Sequence, residues 1–366
     1  MRSGLACRMR STALFTVAAL ATSLLPAQNT HYVQPTSPAV LAYVVIAAAA
    51  GDEIVLAPGN YPAPQFLKSL TLRAEIPGTV NLDGWFGLTA ILDPDAHVRL
   101  VGLNISRLYV VGGSVSVDDC EITPAGFDVS DATLHMTRST VRQTTAVLAD
   151  YAALRCTNSV VSLTNCTIEG SGPTPTGVGG PAIQLDASTL LGSGLVLTTD
   201  PAAPIPASAI RFASPSTVRL SDSELITAPG VCPIPSPDAT CDRCTLSAPC
   251  TLVPDATLAM AATSALQAGD PWTVEMHGAP FSLVLVLASY DVGKLEIPEL
   301  NAPLLLEPSQ LFVAGAVITD ALGLGSCTWV LPSAPLPIGA GIWVQSVAFD
   351  AAPLKVSPVD GGVVRP

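Results

Sequence analysis

From residue 98 onward the chain repeats a four-point pattern, with apolar or small residues at offsets 0, 2, 5 and 7. It reads Val98, Leu100, Leu103, Ile105; then Val115, Val117, Cys120, Ile122; then Leu134, Met136, Ser139, Val141. It continues as Val161, Leu163, Cys166, Ile168; then Leu190, Gly192, Leu195, Leu197; then Val218, Leu220, Ser223, Leu225. Successive copies start 17, 19, 27, 29 and 28 residues apart, so the motif is constant while the connections vary, as in a solenoid. Offsets 0 and 2 form one strand and offsets 5 and 7 another, because alternate residues of a strand share a face. The chain must turn between them. Offset 4 is Gly102, Asp119, Arg138, Asn165, Gly194 and Asp222, and all but Arg138 are residues that tolerate a left-handed backbone. The sequence offers no reason for Arg138. Strands such as Ala182-Ile183-Gln184-Leu185 and Ala209-Ile210-Arg211-Phe212 would complete each coil. The pattern predicts a right-handed parallel β-helix. A β-sandwich also alternates, but nothing in it demands one four-point register six times over.

Ahead of the repeat, Ser37-Pro38 reads as a helix start and Gly51 as its stop, predicting a short amphipathic helix over Pro38 to Ala50. Leu41, Val44, Val45 and Ala48 share one face, suited to capping the open end of a stacked β structure. Short alternating strands follow in Gly51 to Tyr61, Lys68 to Arg73 and Val80 to Gly84. The first of these, with its GD-x-I-x-L-x-PG-x-Y spelling, resembles the entry to many pectin-lyase-like β-helix proteins. That resemblance implies fold more strongly than chemistry. Beyond Ile226 the register is expected to fail in a Pro- and Cys-rich excursion over 229–250. From about Ala261 the candidate strands change character: Trp272, Val274 and Met276, then Phe281 to Leu287, Leu304 to Leu306 and Ile342 to Val347. These predict a small antiparallel β-sandwich over 261–366, after a β-helix over 28–260. Its tail, with Asp320-Ala321-Leu322-Gly323, Leu336-Pro337-Ile338-Gly339 and Trp343-Val344-Gln345, is similar to a C-terminal β domain of secreted planctomycete-type proteins, a resemblance that implies no activity.

Arg2, Arg8 and Arg10 precede an uncharged apolar run from Ala13 to Leu25 and the pair Pro26-Ala27. This order predicts a signal peptide over 1–27, hence a secreted or cell-surface protein with no membrane insertion. Without those three arginines the chain keeps 13 Lys+Arg against 29 Asp+Glu, a net charge of −16 that argues against nucleic acid as a partner. In an oxidising compartment Cys232, Cys241, Cys244 and Cys250 are expected to form disulfides, in any of three pairings. The Cys241-x-x-Cys244 spacing leaves zinc as the alternative. Cys120 and Cys166 hold the same inward offset two coils apart, too far to bond to each other.

Residues flanking offsets 0 and 2 point outward, and most are Ser or Thr. The best constellation is His97, Arg99 and His135 on neighbouring coils, with Asp118 and Asp119 at the adjacent corner. A lyase could use Arg99 or a histidine to take a proton α to a carboxylate while the aspartates held calcium. Against this, Asp119 already serves as a turn residue, and the Gly-His-Gly and Arg-x-Lys companions of a pectin hydrolase are missing. The adjacent aromatics Trp85 and Phe86 are the candidate sugar platform. The expectation is therefore a non-catalytic glycan-binding or adhesion scaffold, with a polysaccharide lyase or glycoside hydrolase as the alternative. No cofactor is expected, and calcium enters only with the lyase.

Overall fold

Each strand of the repeat pairs in parallel with its equivalent one coil on. Val98, Val115, Leu134, Val161, Leu190 and Val218 are direct partners, and so are Leu100, Val117, Met136, Leu163, Gly192 and Leu220. The computed structural model describes residues 29–35, 40–84, 87–144, 151–172, 177–236, 239–250, 258–262, 266–267, 269–330, 341–350 and 352–364. The predicted leader and the pair Trp85-Phe86 lie outside these residues, as do Ser37 and Pro38. Stacking produces three parallel sheets: a front sheet of ten strands through offsets 0 and 2, a side sheet of nine through offsets 5 and 7, and a back sheet of seven. The back strands include Leu108–Val111, Phe127–Ser130, Leu154–Thr157 and Ile183–Asp186. This is a parallel β-helix. Its inward residues form one continuous buried core. Gly192 keeps its column level, because a Cβ there would lie 2.6 Å from the Leu195 side chain and 2.7 Å from that of Leu220.

All six offset-4 residues are left-handed, including Arg138 at φ 47°. Small offset-5 residues secure the corner: Ser139 Oγ accepts from the Cys120 amide and donates to the Thr137 carbonyl, and Ser223 Oγ does the same between Leu195 and Ser221. A second tight corner, from back to front sheet, lies outside the four-point repeat and uses left-handed Gly112, Asp131, Asn158 and Ala187. The register does not end at Ile226 as expected. Ala239, Cys241 and Leu246 pair with Val218, Leu220 and Leu225, giving one more coil, again with a left-handed residue, Arg243, at the corner. In that coil inward offsets 2 and 5 are Cys241 and Cys244, joined as a disulfide, and Cys232 bonds Cys250. Cys120, Cys156, Cys166 and Cys327 are buried free thiols. Among the described residues no group of three His, Cys, Asp or Glu is placed to hold a metal ion.

The capping helix spans Val40–Ala47 and buries Leu41 and Val45. Before it, Thr30–Val33 adds a strand to the front sheet beside Glu53–Leu56. The Asp and Tyr of the entry motif hold this end together. Asp52 accepts from the amides of Asn29 and Ala49 and lies 2.9 Å from His31 Nε2, while the Tyr61 hydroxyl bonds the carbonyls of Val33 and Ala57. Burial raises the Asp52 carboxyl, but His31 and the two amides outweigh it and bring the group below its ordinary value. Among the described residues no helix is long and apolar enough to cross a membrane.

The C-terminal strands are antiparallel. Ala259–Ala262, Pro271–His277 and Leu324–Val330 form one sheet; Phe312–Ile318, Leu283–Ser289, Gly341–Ala348, Lys355–Val356 and Asp360–Val363 form the other. Val274, Met276, Val284, Val286 and Val344 fill the space between them, with Trp272 and Trp329 stacked at 5.6 Å. A hairpin of Val292–Leu295 and Leu304–Leu306 completes this sandwich.

Candidate functional site

The outward side of the front sheet is where the sequence places its best chemistry, and the C-terminal sandwich sits on it. Two charged clamps and an apolar floor hold it there. Arg99 Nη2 lies 3.0 Å from Asp291 Oδ1 and donates to the Tyr290 carbonyl, while His97 Nδ1 lies 3.1 Å from the same carboxylate oxygen, off the line of a hydrogen bond. His97 Nε2 meets the Ser116 hydroxyl at 3.0 Å. Two coils on, Arg138 Nη2 reaches back to Asp118 Oδ1 at 2.5 Å and out to the Gly361 carbonyl at 2.7 Å, and Nη1 lies 3.4 Å from Asp360. Ser162 Oγ accepts from the Val359 amide and Thr164 donates to its carbonyl. Leu191 and Val160 pack with Val292, Leu304, Leu306, Trp343 and Val347.

These contacts explain the arginine at the tight corner. A short Asn or Asp would turn the chain at lower cost, but only a long cation spans from Asp118 to the incoming Asp360-Gly361 backbone. Gly362 permits the approach, since a Cβ there would lie 2.8 Å from an Asp118 oxygen.

The electrostatics are those of a sealed interface. Burial drives His97 down to about 4, with Arg99 adding to the effect and Asp291 opposing it. His97 is therefore neutral at pH 7, and the ion pair is Arg99 with Asp291. Burial also opposes ionisation of Asp291, but His97, Arg99 and the Val292 amide outweigh it and lower its carboxyl. His135 is fully buried near the Trp343 ring, with 6.3 Å between centroids; desolvation and then His97 push it to about 3. Neither of its ring nitrogens has a hydrogen-bond partner. Burial raises Asp360 despite Arg138 and two amide donors.

The structure thus brings His97 and Arg99 together around Asp291, places His135 against Trp343, ties Asp118 to Arg138, and keeps Asp119 in the left-handed corner at φ 54°. The five do not line an open groove.

The open surface is the back sheet. Its outward column runs Gln65, Thr89, Tyr109, Asp128, Arg155, Gln184, Arg211, each the direct strand partner of the next, at about 4.8 Å per step. Tyr109 and Arg155 are exposed, and the Arg155 guanidinium stands 5.8 Å over the Tyr151 ring. Arg107 binds Asp128 at 2.9 Å, and Arg211 bonds Gln184. On a chain of net charge −13 this column carries three arginines, counting the flanking Arg107, against one aspartate. The four-point repeat leaves this column out, although its register is present in the sequence: the back strands starting at Leu108, Phe127, Leu154 and Ile183 each precede by six residues the front strands starting at Ser114, Thr133, Val160 and Thr189, and the loops of varying length lie before them, between side and back sheets. At the exit of the side sheet, where those loops begin, an open groove of about 420 Å³ is lined by Arg142, Thr144, Glu169, Thr198, Thr199 and Asp200, among others.

No protein-family model matches the chain, and no curated protein matches it either. Among solved structures, the enzymatically active domain of tailspike protein 2 from bacteriophage CBA120 aligns with 93% of this chain and 71% of its own, at 10% identity and a TM-score of 0.23. That correspondence is too loose to build on, and the β-helix stands on its strand pairing alone.

Proposed function

We propose that the protein is an exported glycan-binding scaffold that does not cleave its ligand, and that it binds through the back sheet. The observation that carries this reading is the Tyr109–Asp128–Arg155–Gln184–Arg211 column beside Tyr151, in which Arg107 neutralises Asp128. Aromatic faces, planar cations and an amide follow one another there at strand spacing, with Tyr109 and Arg155 exposed, the combination that suits a glycan chain with carboxylate or sulfate groups. Burial of His97, His135 and Asp118 beneath the sandwich, with Arg99 half-buried beside them, speaks against front-sheet catalysis, since substrate could reach them only by displacing the interface.

The test is retention of the leader-free protein on immobilised carboxylated, sulfated and neutral polysaccharides. Retention on an acidic glycan, weakened at least tenfold by Arg155→Ala and by Tyr109→Ala, is expected. Ultraviolet absorbance of unsaturated products and reducing-sugar release should stay at background, with or without calcium. Turnover on any of these glycans, or binding indifferent to both substitutions, would overturn the proposal.

A further inference from the structure

The end of the sandwich remote from Tyr290 and Trp343 displays an apolar surface. Ile318 and Leu283 are direct strand partners, and Phe349 follows on the next strand, its amide donating to the Leu283 carbonyl. Phe281 and Leu322 stand in the two turns beside this row, and Leu324 pairs with His277 in the facing sheet. All six are exposed, Phe281 and Leu322 by 72% each. The row continues the seat on the solenoid. Leu283 shares its face with Leu287, and Phe349 shares its face with Val347 and Trp343, three residues that pack in the cluster around Leu191. The apolar face therefore runs on past the part that the front sheet covers. The two turns are locked to each other. Thr319 Oγ1 accepts from the Ser282 amide and donates to the Ala279 carbonyl, Asp320 Oδ1 accepts from the amides of Leu322 and Leu324, and the Asp320 carbonyl accepts from the Phe281 amide. Phe281 is thereby held left-handed at φ 57°, a conformation that costs a bulky residue energy and that clusters at functional sites.

Six such side chains leave on the order of 500 Å² of apolar surface uncovered, at the upper end for a monomer. One partner in a stable interface contributes roughly 800 Å², so this patch with a polar rim is large enough for one. Charge selects the partner. Asp320 is the one charged residue within 278–283 and 318–324, and one of its carboxylate oxygens caps its own turn. Two copies of a chain of net charge −13 repel over most of their surfaces and meet without opposition only where no charge is displayed. A lipid surface is held by cations beside the apolar side chains, whereas the only Lys and Arg within 259–364 are Lys294 and Lys355, paired with Glu296 at 2.9 Å and Asp350 at 3.2 Å. A sugar would meet aliphatic side chains in place of the planar cations and amide of the back sheet. We propose that this end of the sandwich is a self-association surface, pairing two copies of the chain about a two-fold axis with Phe281 and Leu322 at its centre. The locked turns lower the ordering cost of association. No residue of the back column takes part, so the pair carries two such columns.

The experiment is sedimentation equilibrium of the leader-free full chain over a wide range of concentration, beside flotation with phosphatidylcholine vesicles, with and without phosphatidylglycerol. A mass of two chains and no flotation are expected. Leu322→Asp should weaken the association at least tenfold. Phe281→Gly should weaken it as well without lowering the melting temperature of the dilute, monomeric protein, because glycine adopts the left-handed turn freely. Ile46→Asp, a comparably exposed position on the capping helix, should leave it unchanged. Circular dichroism establishes that each variant is folded, and Phe281→Gly adds no buried charge, so it carries the test even if Leu322→Asp does not fold. A wild-type chain that stays monomeric at every concentration, an association indifferent to both tip substitutions or lost equally in Ile46→Asp, or vesicle binding abolished by Leu322→Asp would overturn the assignment.

Discussion

Leu163 shows how little freedom a single inward position has. It is completely buried between Met136 and Gly192 in the stacked column. Leu163→Ala should cost about 2–5 kcal/mol, the range for truncating a buried leucine, and Leu163→Asp should prevent folding by burying an unpaired charge. Melting of the alanine variant at the wild-type temperature would contradict the stacked core. Arg138 shows the opposite, a residue whose backbone and side chain want different things. Arg138→Asn should relieve the corner yet destabilise the protein by about 3 kcal/mol, because Asp118 and Asp360 would be left buried without their cation. A neutral Arg138→Asn, read by chemical denaturation, would mean that the clamp contributes nothing. The sequence revealed that Arg138 breaks the turn rule but not why, since the reason lies more than two hundred residues away at Asp360 and Gly361.

Among elements, legibility followed locality. The front and side strands could be read because equivalent positions are a fixed five residues apart, and the capping helix because Ser37-Pro38 and Gly51 bracket an apolar run. The extra coil at Ala239 was hidden because only Leu246 of its four inward residues is a large apolar one, the others being Ala239, Cys241 and Cys244. Its two cysteines take the inward places by bonding to each other. Denatured but unreduced protein without its leader should therefore expose four thiols, from Cys120, Cys156, Cys166 and Cys327. Eight reactive thiols, or zinc released on denaturation, would contradict the pairing. The back-sheet column was encoded, since six residues separate four successive back strands from the front strands that follow, but alternation singles out its inward residues and not its outward ones; the side groove depends on where loops of unequal length leave the chain, which alternation does not encode.

For the whole molecule, the governing fact is that one domain covers a polar face of the other, so that outward Ser, Thr and His become an interior. Sequence alternation correctly labels such residues as outward but says nothing of a second layer. His97 faces Asp291, Arg99 and Ser116, and His135 faces Trp343 with His97 and Asp291 nearby. Both imidazoles sit below the ordinary histidine value of about 6.5, His97 at about 4 and His135 at about 3. Between those values and 6.5 the unfolded chain takes up protons that the native chain refuses, so stability should fall as pH drops through this window. Asp360, raised by burial, works in the opposite sense as pH rises above the usual carboxylate range. Thermal unfolding from pH 7 to pH 4 should show a decline of a few kcal/mol. It should be shallower in His135→Phe, which removes two unpartnered nitrogens and should melt no lower than wild type at pH 7. An identical acid slope in that variant would remove His135 from the explanation.

The clamps at Arg99 and Arg138 and the seat at Leu191 lie on five consecutive front strands, from His97–Val101 to Thr189–Ser193. Solenoids ordinarily lengthen or shorten by whole repeats, since each coil answers only to its neighbours. Here the sandwich acts as a caliper laid across those five strands. A coil duplicated or deleted between Arg99 and Leu191 would move one jaw by about 4.8 Å and unseat the domain, whereas one added beyond Leu220 would leave the measure intact. Repeat number in this protein is therefore fixed by the domain laid along the solenoid, and only the stretch outside its grip is free to vary in length.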